Sequence, residues 1–295
     1  MNFTRRIASA CLLAASSLAL GACASMSRTA GPEQPRAEQP RFAVLNASDA
    51  RRTAALANWK AVLGEQAAAA SPAPELRPVT ATLAALPAGL SDYPRLPLVV
   101  MDKDEKSQSE EEMRESLRRF LGTAAPLLGF ELKHLSLVEV SDAPGAGGGA
   151  RRALYRQTPF AYPLRNGYGV VEVTFTPDLR VVGLSSTAVP DAEPLARALA
   201  AVQKPLTAEQ AAAALVNRPV TYTDRGGAQQ TRTLTQADAA TARQLVVFPV
   251  RRDAGDPAAL ELHVAWEVEA GGAQSPLLVY VDAATGDVLG AEARP

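Results

Sequence analysis

Cysteine and histidine are almost missing from this chain of 295 residues, which has two of each. Cys11 and Cys23 both lie near the start. The remainder can form no disulfide framework, zinc–thiolate site or cysteine nucleophile. His134 and His263 stand alone. A hydrolytic zinc site of the H-E-x-x-H type needs two imidazoles one helical turn apart with a glutamate as general base. Neither histidine has such a neighbour, and each reads as an ordinary surface or half-buried side chain.

A charge excess is missing too. Thirty Lys and Arg oppose 31 Asp and Glu, for a net charge of −1, which gives no electrostatic case for nucleic acid. There is no P-loop. "GLSST" at 183–187 lacks the closing glycine and the strand-to-helix setting of a serine nucleophile elbow. "GAGGGA" at 145–150 fits a loose dinucleotide fingerprint, with Glu172 as the ribose acid. That fingerprint needs a helix N-terminus directly afterwards. "RRALYRQT" with Pro159 reads as a strand, so a hairpin loop is expected. Glu110, Glu111 and Glu112 suit the start of a helix better than an acid–base pair. The expectation is a protein that is not an enzyme, with no catalytic residue, metal or cofactor.

What is present begins with "MNFTRRIASACLLAASSLALGAC". Arg5 and Arg6 form a basic region, and an apolar stretch from Ile7 to Leu20 is short for a membrane span of roughly 20 residues. Leu20-Gly21-Ala22-Cys23 resembles the lipobox of bacterial lipoproteins. That resemblance implies cleavage before Cys23 and lipidation of its thiol, palmitate included. With Ala24 and Ser25 next and no Asp, it also implies an outer-membrane anchor facing the periplasm. Three acyl chains at about 0.8 kcal/mol per buried CH₂ hold a protein stably. Loss of Arg5 and Arg6 takes the net charge from −1 to −3. Residues 1–22 are thus expected as signal peptide and 23–41, rich in Pro, Ala and Gln, as a flexible tether.

Periodicity supplies the elements beyond. Residues 49–70 read as a helix with Leu56, Trp59, Val62 and Leu63 on one face, inside a poorly defined region, 42–108, where 76–101 hold ambiguous short strands. Residues 109–128 form a firmer helix: Ser109 and Glu112 make a capping box, and Pro126 and Gly129 mark its end. "HLSLVEVS" reads as a strand, as do "YGVVEVTFT" and "RVVGLSST" around a turn at Pro177-Asp178. Leu179 disfavours positive φ, so that turn is expected to be type I. Residues 190–206, with three prolines, read as a boundary. Thr207 and Gln210 cap a short helix over 208–216. "QLVVFPV" is a strand. In "LELHVAWEVEA", 260–270, Leu260, Leu262, Val264, Trp266 and Val268 face one way. Glu261, His263, Glu267 and Glu269 face the other. "LLVYVDAATGDVLG" closes the chain as strand, turn and return strand. Short connections between strands imply antiparallel sheets, and helices are too few for alternating parallel units. The fold class is α+β, as two tandem small modules, each an antiparallel sheet packed on one or two helices.

Two stretches carry a further resemblance. "FLGTAAPLLGFELKHLSLVEV" with "YRQTPFAYPLRNGYGVVEVTFTPDLRVVGLSS" resembles the fungalysin/thermolysin propeptide (FTP) domain. "LTAEQAAAAL", "LVVFPV", "LHVAWEVEA" and "LLVYVDAATGDVL" resemble the PepSY domain that adjoins it in thermolysin-family metallopeptidase precursors. Residues 109–190 would be the FTP-like module and 191–295 the PepSY-like, cystatin-like one, without the peptidase. "FAYPLRNG" and Leu179 depart from the family pattern. The resemblance implies a lipid-anchored periplasmic protein that binds a peptidase or another envelope protein, as a propeptide-like protease inhibitor or chaperone. The alternative is a structural or assembly lipoprotein of the envelope with no protease target. Binding would use a sheet edge, the polar face of the 260–270 strand (His263, Glu267, Glu269) or the C-terminal residues Ala291, Glu292, Ala293, Arg294 and Pro295, as an added strand or extended peptide.

Overall fold

The computed structural model describes residues 41–64, 69–100, 109–143, 145, 148–224, 226–252, 258–272 and 276–294. All fall within one compact unit, Gln39–Pro295. The signal segment with Cys23, the tether up to residue 40, and Pro295 lie outside the described residues. The architecture is α+β, with several sheets and few helices.

Helix α1, Asp49–Leu63, begins where the Ser48 hydroxyl accepts from the Arg51 amide at 3.3 Å and stops before Gly64 at φ +83°. Helix α2, Glu110–Leu128, opens with the expected Ser109/Glu112 capping box and closes on Gly129 in the left-handed region. It passes through Pro126 instead of ending there. A proline ring crowds the carbonyl four residues back and opens the helical ladder. Asn58 of α1 bridges the opening: its amide donates to the Thr123 carbonyl at 3.0 Å and accepts from the Leu127 amide at 3.2 Å. Trp59 and Ala55 sit beside it in the core.

Both helices cover one face of an antiparallel sheet, β4–β5–β6–β7. Its strands are Leu135–Asp142, Arg151–Gln157, Val170–Phe175 and Val181–Ser186. Alternation sends Ala153, Tyr155, Val171, Val173, Phe175, Val181 and Leu184 into the core with Leu117, Leu121, Leu127 and Leu128 of α2. Each fully buried leucine contributes about 1.5–3 kcal/mol. The opposite face is polar, with Arg152 reaching Glu139 and Glu172 across the strands. The glycine-rich stretch does join two antiparallel neighbours, β4 and β5, and a strand follows it where a dinucleotide site needs a helix.

Leu179 overturns one expectation. It has φ +64°. The turn is of type I character, with the Leu179 amide bonded to the Thr176 carbonyl, and Leu179 takes the left-handed position that follows. Its carbonyl accepts from Leu96 and its side chain packs on the core, so the surroundings hold the strained residue in place.

The described residues of 42–108, the region expected to be poorly defined, are divided between the two sheets. Strand β1, Ala43–Asn46, pairs with the long sheet. A two-stranded sheet, β2 (Glu75–Leu76) and β3 (Leu83–Ala85), packs on β7. Arg77 donates to the Ser186 carbonyl at 2.9 Å and Thr82 at 3.1 Å. Beyond Arg95, which bridges to Arg180, "LPLVV" is not a strand, and Leu98 and Val100 are exposed.

The proline-rich boundary holds a helix, α3, Ala192–Ala201. Pro194 lies in the first turn, where amides have no intrahelical partner to lose. Ala192, Leu195 and Leu199 form its buried stripe. Helix α4, Ala208–Ala213, carries the Thr207/Gln210 capping box and ends earlier than expected.

The long sheet contains β8 (Pro219–Thr223), β9 (Gln229–Thr233), β10 (Thr241–Arg252), β11 (Ala259–Ala270), β12 (Leu277–Asp282) and β13 (Val288–Ala293), with β1. β11 is central: β10 pairs along one side, and β1 and then β12 along the other. β13 follows β12, then the β8–β9 hairpin. β13 and β8 run parallel, the one exception to antiparallel pairing among the described strands. Leu260, Leu262 and Val264 pack with Leu195 and Leu199 of α3, and Val268 with Ala211 of α4.

Candidate functional site

The second face of β11 is not the exposed polar surface that alternation suggests. His263 and Glu267 are each 7% exposed, and Ala265 between them is fully buried. The cause is curvature. Phe248 on β10 lies so near Gly290 on β13 that a Cβ at Gly290 would fall 2.8 Å from its ring. In a flat sheet strands three places apart stand about 14 Å from each other. The sheet therefore curls, and this face becomes a second interior holding Val246, Phe248, Ala265 and Tyr280. The Phe248 and Tyr280 rings stack with centroids 4.5 Å apart.

Polar groups in this interior are paired. His263 Nδ1 lies 2.7 Å from Asp282 Oδ2, and the Phe42 ring lies 4.6 Å from the imidazole. Asp282 also accepts from the amides of Ala284 and Thr285, which ties the closing D-A-A-T-G turn to β11. Glu267 takes hydrogen bonds from Arg165 at 2.7 Å and Gln244 at 3.0 Å. Tyr280 donates to Glu292 at 2.6 Å, and burial followed by that carboxylate pushes its hydroxyl pKa up.

The C-terminal residues are not a free tail. Ala291, Glu292 and Ala293 belong to β13, inserted between β12 and β8. The Arg294 amide donates to Pro276, and its guanidinium lies 2.7 Å from Glu269. Glu269 also meets Arg243, whose hydrogen bonds hold its carboxyl below the ordinary glutamate range. Of the residues singled out from sequence, the structure brings Glu269 and Arg294 together at the surface. His263 and Glu267 are placed inside.

Among the described strands, β9 and β4 each pair on one side only. β9 reads Gln-Gln-Thr-Arg-Thr, polar and mostly exposed. β4 differs: Val138 is 52% exposed at a register shift between Leu137 and Glu139. A cleft of about 430 Å³ beside it is lined by Leu137, Val138, Glu139, Val140 and Arg151 with Glu110, Met113 and Arg114 of α2. The outer edge of the opposite strand, β7, is covered through Pro94, Arg95 and Leu96. The exposed edge of β10 is closed where Leu164 bridges to Val247. Sequence reasoning did not reach the β4 edge, because which strand lies outermost is set by sheet order.

His134 occupies different surroundings from His263. It ends the 3-10 turn Leu132–His134, which Glu131 precedes. Glu193, in the first turn of α3, comes alongside. One ligand atom each of Glu131, His134 and Glu193 lie within 4.8 Å of one another. Lys133 bridges the two carboxylates, lying 2.8 Å from Glu131 and also on Glu193. The pairing raises the Lys133 pKa and lowers that of Glu193. Among the described residues, His134 Nε2 is a buried atom with no hydrogen-bond partner.

No described helix is long and apolar enough to cross a membrane. No family model matches the chain, and no curated protein does. Among solved structures it is similar to the Bacillus megaterium YpeB C-terminal domain, at 12% identity over 66% of this chain and 70% of that one, with a TM-score of 0.27. A likeness that weak supports no inference of its own.

Proposed function

We propose that this chain is a lipid-anchored protein of the outer membrane, facing the periplasm, that acts by binding another protein and performs no covalent chemistry. The four-stranded sheet would correspond to the FTP-like module and the long sheet to the PepSY-like one. Its partner would be a peptidase or another envelope protein, held as an added strand along β4. The observation that carries this reading is the uncovered β4 edge, with Val138 exposed beside a cleft of about 430 Å³. Main-chain groups of an edge strand offer hydrogen bonds to any extended segment, while side-chain pockets choose among them. The polar β9 edge offers fewer apolar contacts.

The test adds purified protein to periplasmic metallopeptidases. The wild type lowers one activity, and Val138→Lys, which places a charge on the edge, abolishes the effect. Unchanged activity throughout, with no co-purifying partner, contradicts the proposal. Crosslinks to envelope-assembly proteins in place of peptidases would favour the assembly role. For the anchor, Cys23→Ser releases the protein to the soluble fraction; unchanged membrane recovery contradicts the lipobox assignment.

A further inference from the structure

We infer that Glu131, His134 and Glu193 form a binding site for one divalent transition-metal ion, of which zinc is the best-matched probe. The donor set is one imidazole and two carboxylates, a combination that suits such ions and leaves positions for water. The local fold assembles it. In a 3-10 turn residues three apart lie nearly eclipsed, so Glu131 and His134 leave the turn on one side. The first turn of α3 brings Glu193 to them.

Two observations point to a cation here beyond the carboxylates themselves. The first is Lys133, whose ammonium already lies between Glu131 and Glu193. Arg197 also acts on Glu193 from nearby, and the long Lys133 stem can swing into solvent. The second is the imidazole. His134 Nε2 is enclosed without a hydrogen-bond partner, a state that costs free energy and calls for an explanation such as a bound ion. The spacing is compatible. Donors of a tetrahedral zinc ion stand about 3.4 Å apart for metal–ligand distances of about 2.1 Å. From the observed limit of 4.8 Å the side chains have to close by up to about 1.4 Å. The side chains of Glu131 and Glu193 are 51% and 60% exposed, so they can make that movement.

Calorimetric titration of the full chain with Zn²⁺, after chelator treatment, tests the site. One ion binds per chain. Glu193→Gln, an exposed change at a helix start, and His134→Gln each weaken binding by about tenfold or more, the scale of losses at metal-site residues. Lys133→Met, which removes the internal competitor, tightens it. Thermal unfolding confirms that each variant folds. X-ray absorption at the zinc edge shows nitrogen and oxygen donors only. Absence of stoichiometric binding in both the wild type and Lys133→Met overturns the inference. So does an affinity unchanged by Glu193→Gln and His134→Gln, or a zinc–sulfur distance near 2.3 Å, which places the ion on a cysteine.

Discussion

The four-stranded sheet and the long sheet solve the same burial problem in different ways. The first puts α1 and α2 over one face and leaves the other as a charged surface, where Arg152 meets Glu139 and Glu172. The second puts α3 and α4 over one face and curls until the other is also an interior. A strand in the first sheet can be read by alternation alone. In the second, charge on alternate positions of β11 does not mean exposure, because Glu267 and His263 enter the fold with partners from other strands and from the loop at Arg165. Docking capacity differs accordingly. The small sheet keeps an open, partly apolar edge at β4, whereas the long sheet is bridged by Leu164 at Val247 of β10 and polar at β9.

Large-to-small changes give the biggest effects. Trp59→Ala, in the small-sheet core, and Phe248→Ala, in the curled interior, each lose about 3–5 kcal/mol in denaturant unfolding. A loss well under 1 kcal/mol at Phe248 would mean that its face is open. Gly290→Ala comes next: the added Cβ meets the Phe248 ring, and overpacking of this kind costs about 1–3 kcal/mol. Gln157→Leu belongs to the same range. The Gln157 amide donates to the Val189 carbonyl and accepts from the Val189 amide, both at 2.9 Å, and its removal leaves two buried backbone groups unpaired, at about 1–3 kcal/mol. The same substitution at exposed Arg156 should be nearly neutral.

The smallest effect depends on pH. Asp238 accepts from the Thr235 amide and hydroxyl and pairs with Arg232, and its carboxyl is held below the ordinary range, first by the Thr235 amide. A group whose folded pKa lies below its unfolded value stabilises the fold above the unfolded value, about 3.9 for Asp. That contribution is lost as pH falls through the folded value. Asp238→Asn therefore lowers the thermal midpoint at pH 7, and the difference from wild type shrinks below about pH 4. A difference that persists unchanged in acid would assign the effect to something other than this carboxylate.

Much of the fold was legible in the residues. The capping boxes at Ser109 and Thr207, the antiparallel β4–β5 pair flanking the glycine-rich stretch and the closing turn at Asp282–Gly286 all rest on local chemistry, and all are present. Helix α3 was hidden because its prolines suggested a break, although Pro194 occupies a turn that tolerates it. The β8–β9 hairpin had a usable signal in Val220 and Tyr222 before the Asp-Arg-Gly-Gly turn. Other features were not local. The division of residues 42–100 between two sheets depends on long-range pairing. Glu193 meets His134 across 59 positions of sequence (193 less 134). The curl that buries His263 depends on contacts between β10 and β13. Composition and periodicity report which residues prefer burial, and they are silent on which strand bends over which.

Thiol labelling tests the contrast between the two sheets most directly. In a chain with Cys11 and Cys23 replaced by serine, cysteine is introduced at Ala265 or at Val138. Val138→Cys reacts at once in the native protein, while Ala265→Cys reacts only when denaturant unfolds it. Equal, rapid labelling at both positions under native conditions would contradict that contrast.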